Sequence, residues 1–110
     1  MPDVLLVLST VPVGDRGEAI ARALVDERLA ACVNLHLPMT SFYRWRGVVE
    51  RDEERQLVIK TTRELVPAVR ARLLELHPYE LPEFLVLQPS EGSAAYFDWV
   101  AASVGREPGV

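Results

Sequence analysis

Hydrophobic positions along this chain switch between short continuous runs of strand length and spaced stripes of helical period. Val4 to Ser9 is such a run, and Thr10, Val11, Pro12, Val13 and Gly14 break it. Asp15 followed by Glu18 has the spacing of a capping box. Ala19, Ile20, Ala23 and Leu24 then form the apolar stripe of a helix reaching about Leu29, with Glu18 and Arg22 paired outside. Cys32 to Leu37 reads as a second strand, ended or bent at Pro38, because proline cannot donate to a sheet ladder. From Thr40 to Trp45 an aromatic-rich alternation resumes, Arg46 and Gly47 supply a turn, and Val48 and Val49 lead into a charged stretch, Glu50 to Arg55, that solvates a hairpin.

Leu57 to Lys60 predicts the third strand of the main sheet. Thr61 or Thr62 is placed to cap a helix starting near Glu64, since Pro67 is tolerated only in a first turn. Leu65, Val69, Leu73 and Leu76 mark the buried face of that helix, and His77 and Pro78 stop it. Glu83 to Leu87 predicts a fourth strand, and a final helix runs from about Ser93 to Ser103 with Tyr96, Trp99 and Val100 inward. Gly105 to Val110 is expected to fray. The order is βαβ, βαβ and a terminal helix. Two split βαβ halves of this length predict an α+β, ferredoxin-like antiparallel sheet with helices on one face, extended by a hairpin and an extra C-terminal helix.

Composition narrows the functional classes. One domain over residues 1–110 with 49% hydrophobic content has ample material for a core. A net charge of -4 gives no field that draws the molecule to phosphate backbones or anionic lipid, so neither nucleic acid nor membrane is an expected partner. Val4 to Leu8 is too short for a signal core or a span, and Cys32 is the single cysteine. A cytoplasmic location is the expectation.

Six ordered segments carry a resemblance to a known family: Ser9 to Pro12, Glu27 to Asn34, Thr40 to Gly47, Lys60 to Thr62, His77 to Glu83, and Tyr96 to Trp99. In these the chain resembles the CutA (divalent-cation tolerance) family over nearly its whole length. It departs from the family pattern at Met39, at Arg46 and in the additional His36. The resemblance implies a ferredoxin-like homotrimer joined edge to edge, similar to the trimers of PII signalling proteins, with a role in copper and divalent-cation tolerance.

The residues themselves offer three candidate groups. Cys32, His77 and Glu83 combine a thiolate, an imidazole and a carboxylate, an open ligand set for exchangeable copper or zinc with no cofactor required. Lys60, Tyr79, Glu80 and Trp99 furnish a ligand cleft, and Phe42, Tyr43 and Trp45 a trimer interface. Blander roles compete with each: Cys32 as a small packed strand residue, His77 as a helix-end residue meeting terminal carbonyls, His36 as a solvated strand residue, Lys60 in an ion pair with Glu83, Glu80 and Glu83 as solvated carboxylates, and the aromatics as packing. Inter-subunit clefts that bind metal ions are one reading; a PII-like sensor of an anionic metabolite or nucleotide, using Lys60, is the alternative. Catalysis is not expected. Val11 to Gly14 lacks the arginine and asparagine of a phosphate-cradling acylphosphatase loop, and the chain has neither a glycine-rich nucleotide motif nor a nucleophile elbow. RNA recognition would need aromatics where the central strands are aliphatic.

Overall fold

The computed structural model describes residues 2–106. Its elements are β1 (Val4–Pro12), α1 (Arg16–Asp26), β2 (Cys32–Leu35), β3 (Met39–Trp45), β4 (Val48–Thr62), a short 3-10 turn (Arg63–Leu65), α2 (Val66–Leu76), β5 (Leu85–Leu87) and α3 (Ala94–Ser103). The strands lie in the order β2-β4-β1-β5, every pair antiparallel, and β3 also pairs with β4. With the β3–β4 hairpin set aside, two βαβ units interleave, which is the expected ferredoxin-like arrangement. Of the segment expected to fray, residues 107–110 lie outside the described residues.

One face of the sheet carries the core. Val7 and Val11 on β1 and Leu57 and Ile59 on β4 meet Ile20 and Leu24 of α1 and Val69 and Leu73 of α2, all fully buried. These four helix positions repeat at helical spacing and the strand positions at a period of two, so each element offers one apolar face to the same layer. The register puts Leu6, Leu8, Val58, Lys60, Leu85 and Leu87 on the opposite face. There α3 covers one end, with Val100 buried and Tyr96 beside Lys60. Leu85 and Leu87 stay about half exposed.

Several local expectations are corrected. β4 is one strand of 15 residues, not a hairpin arm and a separate strand. The charged run Glu50 to Arg55 is strand because β3 holds one side of it and, from Glu54 on, β1 holds the other. For the same reason β1 continues through Thr10 to Pro12. Asp15 is already helical in backbone and its side chain caps nothing, while Thr61 and Thr62 end β4 buried and leave the 3-10 turn to start α2. Glu83 lies outside β5, whose ladder is only three residues long. Tyr96 and Trp99 point outward, 41% and 47% exposed, and only Val100 of the three faces in.

Pro38 marks more than a bend. In β2 the register is Leu35 opposite Leu57, and in β3 it is Met39 opposite Glu54, so three residues, His36 to Pro38, face two, Arg55 and Gln56. This is a β-bulge. The extra residue exchanges odd for even positions between the two strands: Cys32 and Asn34 share a sheet face with Met39, Ser41, Tyr43 and Trp45. At the far end Arg46 and Gly47 close the hairpin with φ of 50° and 83°, the paired left-handed values of a two-residue turn. The turn fixes one register and the core fixes the other. The bulge absorbs the difference.

Deleting Leu37, which is 82% exposed, should therefore be tolerated. Pro38 would then face Arg55 next to the His36–Gln56 hydrogen-bonded position, where a backbone nitrogen points away from β4. The expected melting temperature shift is no more than about 5 °C, with the β3–β4 pairing unchanged by amide exchange. Global unfolding of the deletion variant would refute the register argument.

Candidate functional site

The bulge sets one face of the hairpin against the loop that follows α2. Between them lies a cleft of about 820 Å³, lined from the sheet by Thr10, Met39, Ser41, Tyr43, Trp45, Asp52, Glu54 and Gln56 and from the loop by Pro78, Tyr79, Glu80, Leu81, Pro82 and Glu83, with Phe42 at its rim. Phe42 itself belongs to the other face of β3, 69% exposed, with Arg51 6.0 Å from its ring.

His77 anchors the loop. Its ring is buried where α2 ends, Nδ1 accepts the Tyr79 backbone N–H at 3.1 Å, and Nε2 lies 2.7 Å from the Thr10 carbonyl oxygen. An Nδ1 that accepts requires the proton on Nε2, which donates to Thr10. Burial holds the His77 pKa below its usual value, against the pull of the Thr10 carbonyl. The Tyr79 ring packs on the imidazole at 4.7 Å and its hydroxyl donates to Glu54 Oε1 at 3.0 Å. Burial, then that carboxylate, raises the Tyr79 pKa.

The remaining carboxylates are each engaged once. Tyr43 donates its hydroxyl to Asp52, which pushes the phenol up to about 12. Gln56 Nε2 reaches Glu83 at 2.9 Å and the Ser9 carbonyl at 2.6 Å. Arg46 bonds both oxygens of Glu80, at 3.0 and 3.2 Å. Four carboxylates line the cleft and no lysine or arginine does.

The structure therefore brings together Tyr79, Glu80 and Glu83 of the expected site residues, with Tyr43 and Trp45 across from them. Cys32, Lys60 and Trp99 are elsewhere. Cys32 pairs with Lys60 at the other end of β4, four positions from the Gln56 that faces Thr10, or about 13 Å along the strand. Lys60 makes no ion pair with Glu83; its Nζ lies 5.8 Å from the Tyr96 ring, and Tyr96 packs beside Trp99 at 5.5 Å. Among the described residues, no three His, Cys, Asp or Glu side chains of one chain are grouped to hold a metal ion. The cluster of Cys32, His77 and Glu83 does not form within a subunit, and both ring nitrogens of His77 are already bonded. Asp52, Glu54 and Gln56 were missed by sequence reasoning. Their signal was alternation: Glu50, Asp52 and Glu54 recur with the strand period on one face.

Comparison with known proteins agrees with this architecture. Residues 5–103 match the family described as CutA1 divalent ion tolerance protein. The divalent-cation tolerance protein CutA of Thermus thermophilus is 46% identical over 100 residues, 91% of this chain and 97% of the relative. Protein CutA of Mus musculus is 44% identical over 83% of this chain, which spans only 51% of that longer protein. The crystal structure of CutA from Xylella fastidiosa superposes with a TM-score of 0.90 at 45% identity, covering 94% of this chain and 99% of the other. A match over almost every described element, with 46% identity to a relative covered almost end to end, makes the chain a member of the CutA1 divalent ion tolerance family.

Proposed function

We propose that this protein acts in divalent-cation tolerance by binding and not by catalysis, as a cytoplasmic homotrimer whose clefts, completed between subunits, take up divalent metal ions such as copper. One observation carries the reading: the cleft is lined by Asp52, Glu54, Glu80 and Glu83 against a single cation at its mouth, the Arg46 paired with Glu80, so on balance it attracts positive charge and repels negative. The name of the Thermus thermophilus relative points the same way. The anionic-metabolite reading relied on Lys60, which lies at the other end of the sheet. Self-association is supported by the bare face of Leu85 and Leu87 and by Phe42, Val48 and Val49 on the hairpin, 69%, 58% and 60% exposed. Threefold stoichiometry is what the family resemblance implies.

Among the described residues one chain does not group three ligands, so uptake is exchangeable, with water or a neighbouring subunit filling the coordination shell. Equilibrium dialysis against Cu(II) should show uptake that falls at least about fivefold in Glu54→Gln/Glu83→Gln, roughly 1 kcal/mol, and is unchanged in Cys32→Ser. Light scattering should give about three times the 12.3 kDa chain mass. A monomer, or full copper uptake by the double variant, would overturn the reading.

A further inference from the structure

The cleft is far larger than a metal ion needs, and its volume is that of a small-molecule pocket. Its walls pair aromatic rings with carboxylates, the combination that recognises organic cations. Tyr43 occupies only Oδ2 of Asp52 and Tyr79 only Oε1 of Glu54, so each carboxylate keeps an oxygen that no described residue fills. The phenols thereby fix both carboxylates without neutralising them.

The chain also supplies an occupant of this chemistry at the cleft mouth. The Arg46 guanidinium lies 5.3 Å from the centroid of the Trp45 ring and holds Glu80 with one nitrogen shared between both carboxylate oxygens. Trp45 and Glu80 are both cleft residues. The Arg46–Glu80 pair is 70% and 72% exposed, so it is weakly held and opens at little cost.

We propose that the cleft binds a small organic cation bearing a guanidinium or alkylammonium group, and that Arg46 is its built-in competitor, seated on Trp45 and Glu80 until the ligand displaces it. The proposal rests on reading the cleft as a cation site, but not on the metal. A guanidinium entering from solvent stacks on Trp45, takes over Glu80, and leaves the exposed Asp52 and the buried Glu54 for a second positive end.

Calorimetric titration of the full chain, freed of metal by chelation, with agmatine tests it, because agmatine carries a guanidinium at one end and an ammonium at the other. Agmatine should bind saturably, and butylurea, its uncharged counterpart, should not. Arg46→Asn keeps a residue suited to the left-handed turn position and removes the competitor, so it should bind agmatine about two- to fivefold more tightly. Glu54→Gln with Tyr79→Phe should weaken binding at least about tenfold. No saturable heat in wild type and in Arg46→Asn, equal binding of butylurea, or no change in either variant would each overturn the proposal. Agmatine binding without copper uptake would defeat the metal reading alone, and copper uptake without agmatine binding would defeat this one alone.

Discussion

Exchanging His77 for alanine should lower stability by about 3 kcal/mol and open the cleft from its loop side. The imidazole satisfies two backbone groups at once, the Thr10 carbonyl and the Tyr79 N–H. Removing it leaves both unpaired in a part-buried place, at about 1–3 kcal/mol for each group, offset where water enters the space vacated. Tyr79 also loses the ring it packs on, and with it the support that aims its hydroxyl at Glu54. Chemical denaturation measures the first effect, and copper or agmatine titration the second. A loss below about 1 kcal/mol would mean that the loop is held by other contacts.

The same residue gives the fold a pH dependence of definite sign. Protonating Nδ1 destroys its bond from Tyr79, and burial together with nearby Arg16 opposes the charge, while the Thr10 carbonyl and Glu54 favour it; the net result is a lowered pKa. With the folded value below the unfolded value of about 6.5, the unfolded chain binds more protons between the two. Stability is therefore fully present above about pH 6.5 and declines as pH falls below it, by at most about 1.4 kcal/mol per unit for one proton. The decline ends beneath the folded pKa. In His77→Ala the slope just below pH 6.5 should flatten.

Much of this arrangement was legible in the sequence wherever local chemistry agreed with the final partners. The helix stripes, the Pro38 break and the Arg46-Gly47 turn are written in residue type, and each appears in place. β4 was not legible as one strand, because Glu50 to Arg55 looks like solvated loop until β3 and β1 flank it. Nor could sequence separate Cys32 from His77. Both adjoin strands, but α2 starts near the Thr62 end of the sheet and its 11 residues carry the chain back about 16 Å, so His77 meets Thr10 while Cys32 stays beside Lys60. Tyr96 and Trp99 were expected inward on apolar character alone. A ten-residue helix covering only one end of the sheet turns a narrower stripe to it.

Leu57→Ala and Trp45→Ala should separate the two halves of β4's work. Leu57 is fully buried where β1 and β2 flank β4 and where α1 and α2 meet the sheet. Truncating it removes apolar contact and leaves a cavity that two flanking strands prevent from collapsing, a loss of about 3–4 kcal/mol that accelerates unfolding at any protein concentration. Trp45 sits at the end of the hairpin arm, paired with Val48 and in contact with Arg46, with no core beneath it. Its truncation should change the folding of a subunit by no more than about 1–2 kcal/mol, since Trp45, though partly buried within one chain, is covered there by the hairpin and the cleft loop and not by the core. If the arm docks on a neighbouring subunit, however, a large aromatic there carries disproportionate energy, roughly 2 kcal/mol or more. The Trp45 variant should then dissociate on dilution while each subunit keeps its secondary structure, and its melting temperature should become concentration-dependent. Sedimentation of both variants across a hundredfold dilution series, about 2.7 kcal/mol of mass action, distinguishes the cases. A Trp45→Ala protein that stays assembled and melts like wild type would remove the arm from the interface and leave the bare Leu85–Leu87 face as the surface that joins subunits.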